Sequence, residues 1–364
     1  MKARIVCTRL VSDLRAILFH VPKFLIRGKL NMKKKLSLLL VIVLSMLTFV
    51  GCGNNNVAKD EAKKQSTEIK DISFVTPDGL TAIAVAKLIK EKPEVKAGYK
   101  INYTIEQSSD SLVTSVMKNE PDVAIVPSNL AATVYNKNKG YKIAGTIGFG
   151  SFYIGTTNQN QTINDLKGKE VYNIGKGLTP DIIARTVLKD KGIDVDKDIN
   201  FSYVESVNEL APIILTGKTQ YAVIPEPALS TVQSKNEKFN VILNLNEEWK
   251  KINNSEYGYP QSTIIIKKEL YEKDKEFVTE LLKHVKEATE WVYSDKETLG
   301  TYCEEIGVSA KKPMIIKSID KSNIKYVDIK DSYKEYKTYF EKLNEFDPKT
   351  IGGSIPDDQI FMEK

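Results

Sequence analysis

From residue 71 onward, short apolar or β-branched runs alternate with segments whose apolar residues recur every three or four positions. The runs 72–76 (ISFVT), 101–106 and 122–126 (DVAIV) predict strands. Helices are predicted after each, over about 80–90, 110–119 and 128–136. A second set follows, with strands at 170–174, 199–204 and 221–224 and helices at 180–190, 208–216 and 227–234. Laid over each other without gaps, residues 71–135 and 169–233 share 12 identities in 65 pairs. Unrelated sequences of ordinary composition would share about 4. Gly79-Leu80-Thr81 falls on Gly177-Leu178-Thr179, Ile101-Asn102 on Ile199-Asn200, Ser108 on Ser206, Leu112 on Leu210 and Pro127 on Pro225. The pattern reads as a duplicated β-α-β-α-β-α unit.

Alternating strands and helices with right-handed crossovers specify a parallel sheet covered on both faces. The expected fold class is therefore α/β, with two doubly wound parallel-sheet lobes. Tyr141–Phe149 and Phe152–Thr157 look like extended segments carrying the chain from lobe one to lobe two. The strand 262–267 (STIIIK) returns it, giving two crossover segments and hence a hinge. A helical C-terminal tail follows. It begins with an amphipathic helix over 270–293, striped by Phe277, Leu281, Val285, Ala288 and Val292. It ends with a helix over about 330–345, whose Tyr333, Tyr336, Phe340 and Leu343 read as core packing. Lobe one is expected to comprise 71–155 and 247–364, and lobe two 156–246.

The first 51 residues differ in kind from the rest. Met32-Lys33-Lys34-Lys35 precedes an apolar run from Leu36 to Val50, then Gly51-Cys52. A basic start, an apolar core too short to span a bilayer and a small residue at the cut are the signal-peptide pattern. Residues 1–31 precede the more natural start at Met32. The stretch 52–70 is polar, without apolar periodicity, and reads as a flexible tether.

Charge follows the same division. The whole chain has 53 Lys+Arg against 47 Asp+Glu. Residues 1–51 hold 10 of those bases and one acid, Asp13, leaving 43 bases and 46 acids beyond. A mature body slightly negative overall has no electrostatic reason to bind nucleic acid. The 3 cysteines (Cys7, Cys52, Cys303) form no CxxC pair, and the 2 histidines are His20 and His284. No metal or redox centre, and no cofactor, is expected from so few ligands. No nucleophile elbow or nucleophile–base pair is visible either. An enzyme is not the expected reading.

In open α/β sheets, ligands bind outside the carboxyl ends of the strands. The duplication places matching loops there in both lobes, so a cleft would be lined from two sides. The candidate ligand-binding residues are Asp78, Gly79, Ser108, Ser128 and Asn129 from lobe one and Phe152 at the crossover. Lobe two adds Lys176, Gly177, Thr179, Ser206 and Glu226. Several of these lie at helix N-termini, where unpaired N–H groups favour negative charge. The segment Gly175–Asp181 fits a ligand loop or, equally, a well-capped helix after a tight turn, with Thr179 as N-cap and Pro180 as first helical residue. Arg185, the only arginine after Cys52, is expected to pair with Asp181 one helical turn away.

Taken in order, Thr76–Leu80, Pro121–Leu130, Asp165–Lys169, Gly177–Asp181 and Ile224–Pro227 resemble the nitrate/sulfonate/taurine and thiamine-precursor group of ABC-transporter substrate-binding proteins. Gly51-Cys52 is similar to the bacterial lipobox, with Phe49 where that pattern usually has Leu. The resemblance implies a type II periplasmic-binding-protein fold that closes on a small-molecule solute. It also implies lipidation at Cys52, an extracytoplasmic monomer anchored to the membrane, and delivery to ABC permease subunits. Two alternatives share the fold: a ligand-sensing lipoprotein, and an enzyme like thiamine-pyrimidine synthase. Glu205 and Glu226 argue against a compact dianion, whereas Lys176 and the helix N-termini argue for some negative character. A zwitterion, or a heteroaromatic ring with one acidic group, reconciles the two.

Overall fold

The structure, a computed structural model, describes residues 69–363. The predicted signal segment, Cys52 and the tether as far as residue 68 lie outside the described residues. The first repeat folds as β1 (Lys70–Pro77), α1 (Leu80–Ala84), α2 (Ala86–Glu91), β2 (Tyr99–Glu106), α3 (Ser109–Met117), β3 (Val123–Pro127) and α4 (Ser128–Asn138). Then come β4 (Tyr141–Phe149) and β5 (Phe152–Thr156). The second repeat is β6 (Lys169–Ile174), α5 (Thr179–Asp190), β7 (Ile199–Val204), α6 (Val207–Leu215), β8 (Tyr221–Pro225) and α7 (Ala228–Lys235). Next are β9 (Asn240–Asn244), α8 (Leu245–Asn253) and β10 (Pro260–Lys267). The tail holds α9 (Lys268–Lys273), α10 (Lys275–Trp291), α11 (Lys296–Glu305), α12 (Lys312–Ser318), β11 (Ile324–Asp328) and α13 (Ile329–Phe346).

The strands form two sheets, ordered β11-β4-β10-β3-β1-β2 and β7-β6-β8-β5-β9. In each, the three repeat strands pair in parallel and every other pairing is antiparallel, so the sheets are mixed. The path of the chain explains the mixture. Strands β5 and β10 each arrive from the opposite lobe and therefore run against their neighbours. They meet the repeat at matching places: Phe152 pairs with Pro225, and Ser262 with Pro127.

The sheets also correct the gapless overlay. Phe74 pairs with Val123, and Val171 with Tyr221, so β6 corresponds to β1 one residue earlier than the overlay puts it. Burial follows the sheet: Phe74 and Val171 are both fully buried. A one-residue slip would have exchanged Val171 and Asn173, which are buried, with Tyr172 and Ile174, which are only partly so. The extra residue is taken up instead in the loop before α5, where Gly175 and Gly177 both adopt positive φ (63° and 71°).

The tail departs from a run of helices in two ways. Asp274 divides the expected helix 270–293 by capping α10 through the Phe277 N–H (3.0 Å) while also binding Lys96 Nζ (2.9 Å) and Tyr99 Oη (2.6 Å). Strand β11 lies antiparallel to β4 at the edge of the lobe-one sheet. Helix α13 buries Tyr336, Tyr339, Phe340 and Leu343 in a core shared with Trp249, Tyr259 and residues of both sheets. Cys303 is buried, which pushes its thiol up to about 12.

Asp122 ties three strands together. It accepts from the Ser73 N–H (3.0 Å) and hydroxyl (2.9 Å) on β1 and from Lys267 Nζ (2.9 Å) at the end of β10. Burial pushes its carboxyl up, but the Ser73 and Lys267 contacts more than offset that and hold it below the ordinary value of 3.8. Asp122→Ala is expected to lower the unfolding free energy by about 1–3 kcal/mol at neutral pH. A carboxyl with a lowered folded-state value stabilises above its unfolded value and ceases to as pH falls through the folded one. The gap between variant and parent therefore persists from neutral pH to about 4 and narrows below it; urea titrations at pH 7 and pH 3 measure both ends.

Candidate ligand-binding cleft

A cavity of about 870 Å³ opens at the carboxyl ends of both sheets. The last residues of β1, β3, β6 and β8 (Pro77, Pro127, Ile174 and Pro225) all line it. The first turns of α3, α4, α5, α6 and α7 complete the walls, and Ser309, Lys311 and Met314 from the tail reach in. Most of the lining is apolar. Val113 and Leu178, one from each lobe, stay 40% and 50% exposed there, which leaves apolar surface available to a guest.

Of the candidate residues, Asp78, Gly79, Asn129, Phe152, Thr179 and Glu226 line this cavity. Ser108, Ser128, Lys176, Gly177 and Ser206 do not, and local chemistry says why. The Ser108 hydroxyl caps α3 by accepting from the Ser111 N–H (3.3 Å). Ser128 is fully buried on the Tyr336 side. Lys176 Nζ lies over the Tyr203 ring, 5.7 Å from its centroid. The Gly177 N–H donates to Asp181 Oδ2 (2.9 Å), and Ser206 stands just outside α6, whose Val207 and Asn208 reach the cavity instead.

Three charged side chains line the cavity: Asp78, Glu226 and Lys311. Asp78 is held by the Ser309 N–H (3.1 Å) and hydroxyl. Glu226 is 3% exposed and accepts from the Ser230 N–H and hydroxyl, both at 3.0 Å. Burial pushes its carboxyl up, and the Ser230 contacts only partly counter that. Thr179 Oγ1 shares a 2.7 Å hydrogen bond with the Tyr339 hydroxyl, fastening the start of α5 to α13. Asp181 pairs with Arg185 Nε (2.8 Å), as expected, and also accepts from the Tyr203 hydroxyl (2.7 Å). Arg185 binds Asp196 as well (2.9 Å). This cluster braces the loop 175–178 from behind.

The crossovers run side by side at the back of the cleft. The Gly150 N–H donates to the Tyr259 carbonyl (3.1 Å), and the Ser151 N–H to Gln261 Oε1 (2.9 Å). The segment just before β11 joins them, because the Phe149 N–H donates to the Asn323 carbonyl (3.0 Å). A Cβ on Gly150 would lie 2.2 Å from the Tyr259 ring, so only glycine permits this approach.

A sequence model of the NMT1-like family matches residues 80–280, more than half of the chain. The chain belongs to the NMT1-like family. Solved structures share the fold of this family member over most of its length. An ABC transporter protein from Parabacteroides distasonis is 24% identical with a TM-score of 0.71, covering 82% of this chain and 99% of that one. The periplasmic aliphatic sulphonate binding protein SsuA from Escherichia coli is 16% identical with a TM-score of 0.62, covering 80% and 92%. The periplasmic nitrate-binding protein NrtA from Synechocystis is 15% identical with a TM-score of 0.52, covering 72% and 74%. Comparison with curated protein sequences returns no match. The family and the shared fold bear out the resemblance to the nitrate/sulfonate/taurine and thiamine-precursor group. Among the described residues of this NMT1-like chain, no helix is long and apolar enough to cross a membrane.

Proposed function

We propose that this chain is the extracytoplasmic solute receptor of an ABC-type importer: it captures a small organic molecule between its lobes and presents it to membrane permease subunits. The observation that carries the reading is the cavity lined from both lobes, with paired crossovers behind it as a hinge. A site of this build binds by closing, because a guest that touches both lobes favours the conformation in which they approach. Asp78, Gly79, Asn129, Phe152, Thr179 and Glu226 are the contact residues proposed. Acylation of Cys52 would hold the receptor, as a monomer, at the outer face of the membrane on the tether. The reading is of binding without turnover.

Native mass spectrometry of the protein purified from its own host tests this. One small organic molecule per chain, released unchanged on unfolding, is the expected result. A chain that carries none, and that also fails to contract in solution scattering when offered host extract, would not be a solute receptor.

A further inference from the structure

The two halves of the cleft are built from the same unit but differ in charge. Five helices of eight or more residues direct their first turns at the cavity: α3, α4, α5, α6 and α7. Each N-terminus carries roughly half a positive charge, which would ordinarily favour an anionic guest. Four of the five already have a carboxylate of the chain itself: Asp110 in α3, Asp181 in α5, Glu209 in α6, and Glu226 bonded to the Ser230 N–H at α7. These side chains occupy four of the five helix ends ahead of any guest anion: Asp110 and Glu209 by charge, Asp181 while it shares its charge with Arg185, and Glu226 by accepting from the Ser230 N–H. Asp78 adds another carboxylate to the lining, against a single ammonium from Lys311.

Helix α4 is the exception. It has no acid in its first turn and no side-chain cap, and Asn129 and Leu130 in that turn line the cavity. Its counterpart in the repeat is α7, and the overlay sets Ser128 on Glu226. At equivalent positions, lobe one therefore offers unpaired N–H donors and lobe two a buried carboxylate. The same cavity is lined by the apolar side chains of Phe149, Phe152, Val113, Leu178 and Met314.

On the solute-receptor reading above, we infer that the cleft takes a largely apolar organic molecule that is uncharged or cationic. Such a guest donates a hydrogen bond to Glu226 in lobe two and accepts one at the open end of α4 in lobe one. Compact oxoanions are excluded, which separates this chain from the proteins named for sulphonate and nitrate. A guest with that polarity bridges the lobes only when they are closed, so recognition and closure are one event. The expectation of a zwitterion, or of a ring with one acidic group, gives way here because Lys176, the cation it rested on, does not line the cavity, whereas Glu226 does.

Two fluorescent dyes that differ by one group, N-phenylnaphthylamine and anilinonaphthalene sulfonate, test the charge rule on the intact chain. The neutral amine is expected to bind at least about tenfold more tightly than the sulfonate, a gap of roughly 1.4 kcal/mol. Glu226→Gln keeps the shape and a Ser230 acceptor while removing the charge, and should bring the two affinities within about threefold. Leu178→Ser should weaken both dyes, which localises them to the cleft. Equal or tighter binding of the sulfonate, no binding of either dye, or indifference to both substitutions would each overturn the inference. An oxoanion found as the native solute would overturn it too, yet leave the receptor reading standing. Absence of any native solute, with no contraction in host extract, would instead sink the receptor reading itself.

Discussion

Replacing Trp249 with alanine is expected to lower the unfolding free energy by about 3–5 kcal/mol, the range for emptying a fully buried indole site. Trp249 is 1% exposed and packs edge-on against Tyr259, with ring centroids 5.7 Å apart, and against Tyr339 at 6.5 Å. Those partners come from the return crossover and from α13, and α8 itself packs on α5, β5 and β9, so the indole stands where the second sheet, the return crossover and the tail meet. The void would be lined by rings fixed by their own packing, which limits how far it can collapse. Trp249→Phe fills part of the space and should cost about half as much or less. Urea denaturation of the two variants beside the parent measures both. Equal, small losses would mean that the three elements are joined elsewhere.

The second large effect is expected at Asp181. This side chain is 2% exposed and binds Arg185 Nε, the Tyr203 hydroxyl and the Gly177 N–H. Asp181→Ala strands three donors at once. Breaking a buried charged pair typically costs about 3–5 kcal/mol. Arg185 keeps Asp196 as a partner and is partly exposed, which puts the expectation at the lower end, about 3 kcal/mol. The loop 175–178 loses its brace in the same step. Affinity for any guest that contacts Leu178 should then fall by about tenfold, and the Gly177 amide should exchange with solvent much faster. Asp181→Asn retains the shape and one acceptor and should fall between parent and alanine on all three measures. If stability drops but the Gly177 amide stays protected, the loop is held by something other than this carboxylate.

The architecture was readable in the amino-acid sequence because it is imposed twice. Strands such as Val123–Pro127 and Tyr221–Pro225 are buried on both faces, so they must be continuous apolar runs, and the helices over them must repeat every three or four residues. What the overlay could not show was the register of β6, since an added loop residue leaves identities on either side intact. The break at Asp274 and the strand β11 were also hidden. One depends on Lys96 and Tyr99, far away in the sequence, and the other on a vacant sheet edge.

The cleft was legible only in part, for a chemical reason. Residues at strand ends, such as Asp78, Phe152 and Glu226, are placed by topology alone. Serines at the same loops are ambiguous, because a hydroxyl that could meet a ligand caps a helix equally well; Ser108 does so. Val113 and Met314 look like ordinary core residues in a helical pattern, and the tail has no counterpart in the repeat from which to infer its reach. One signal was present and unused: Leu80 and Leu178 match in the overlay, and both line the cavity.

Helix α13 also bears on how the molecule is made. Tyr336, Tyr339 and Phe340, which complete the packing common to both lobes, come late in the chain. A ribosome must therefore finish almost all of the described residues before the halves can lock together. Until then each sheet can pair its own strands while the joint stays unlatched, so a growing chain remains easier to thread or unravel than the finished one.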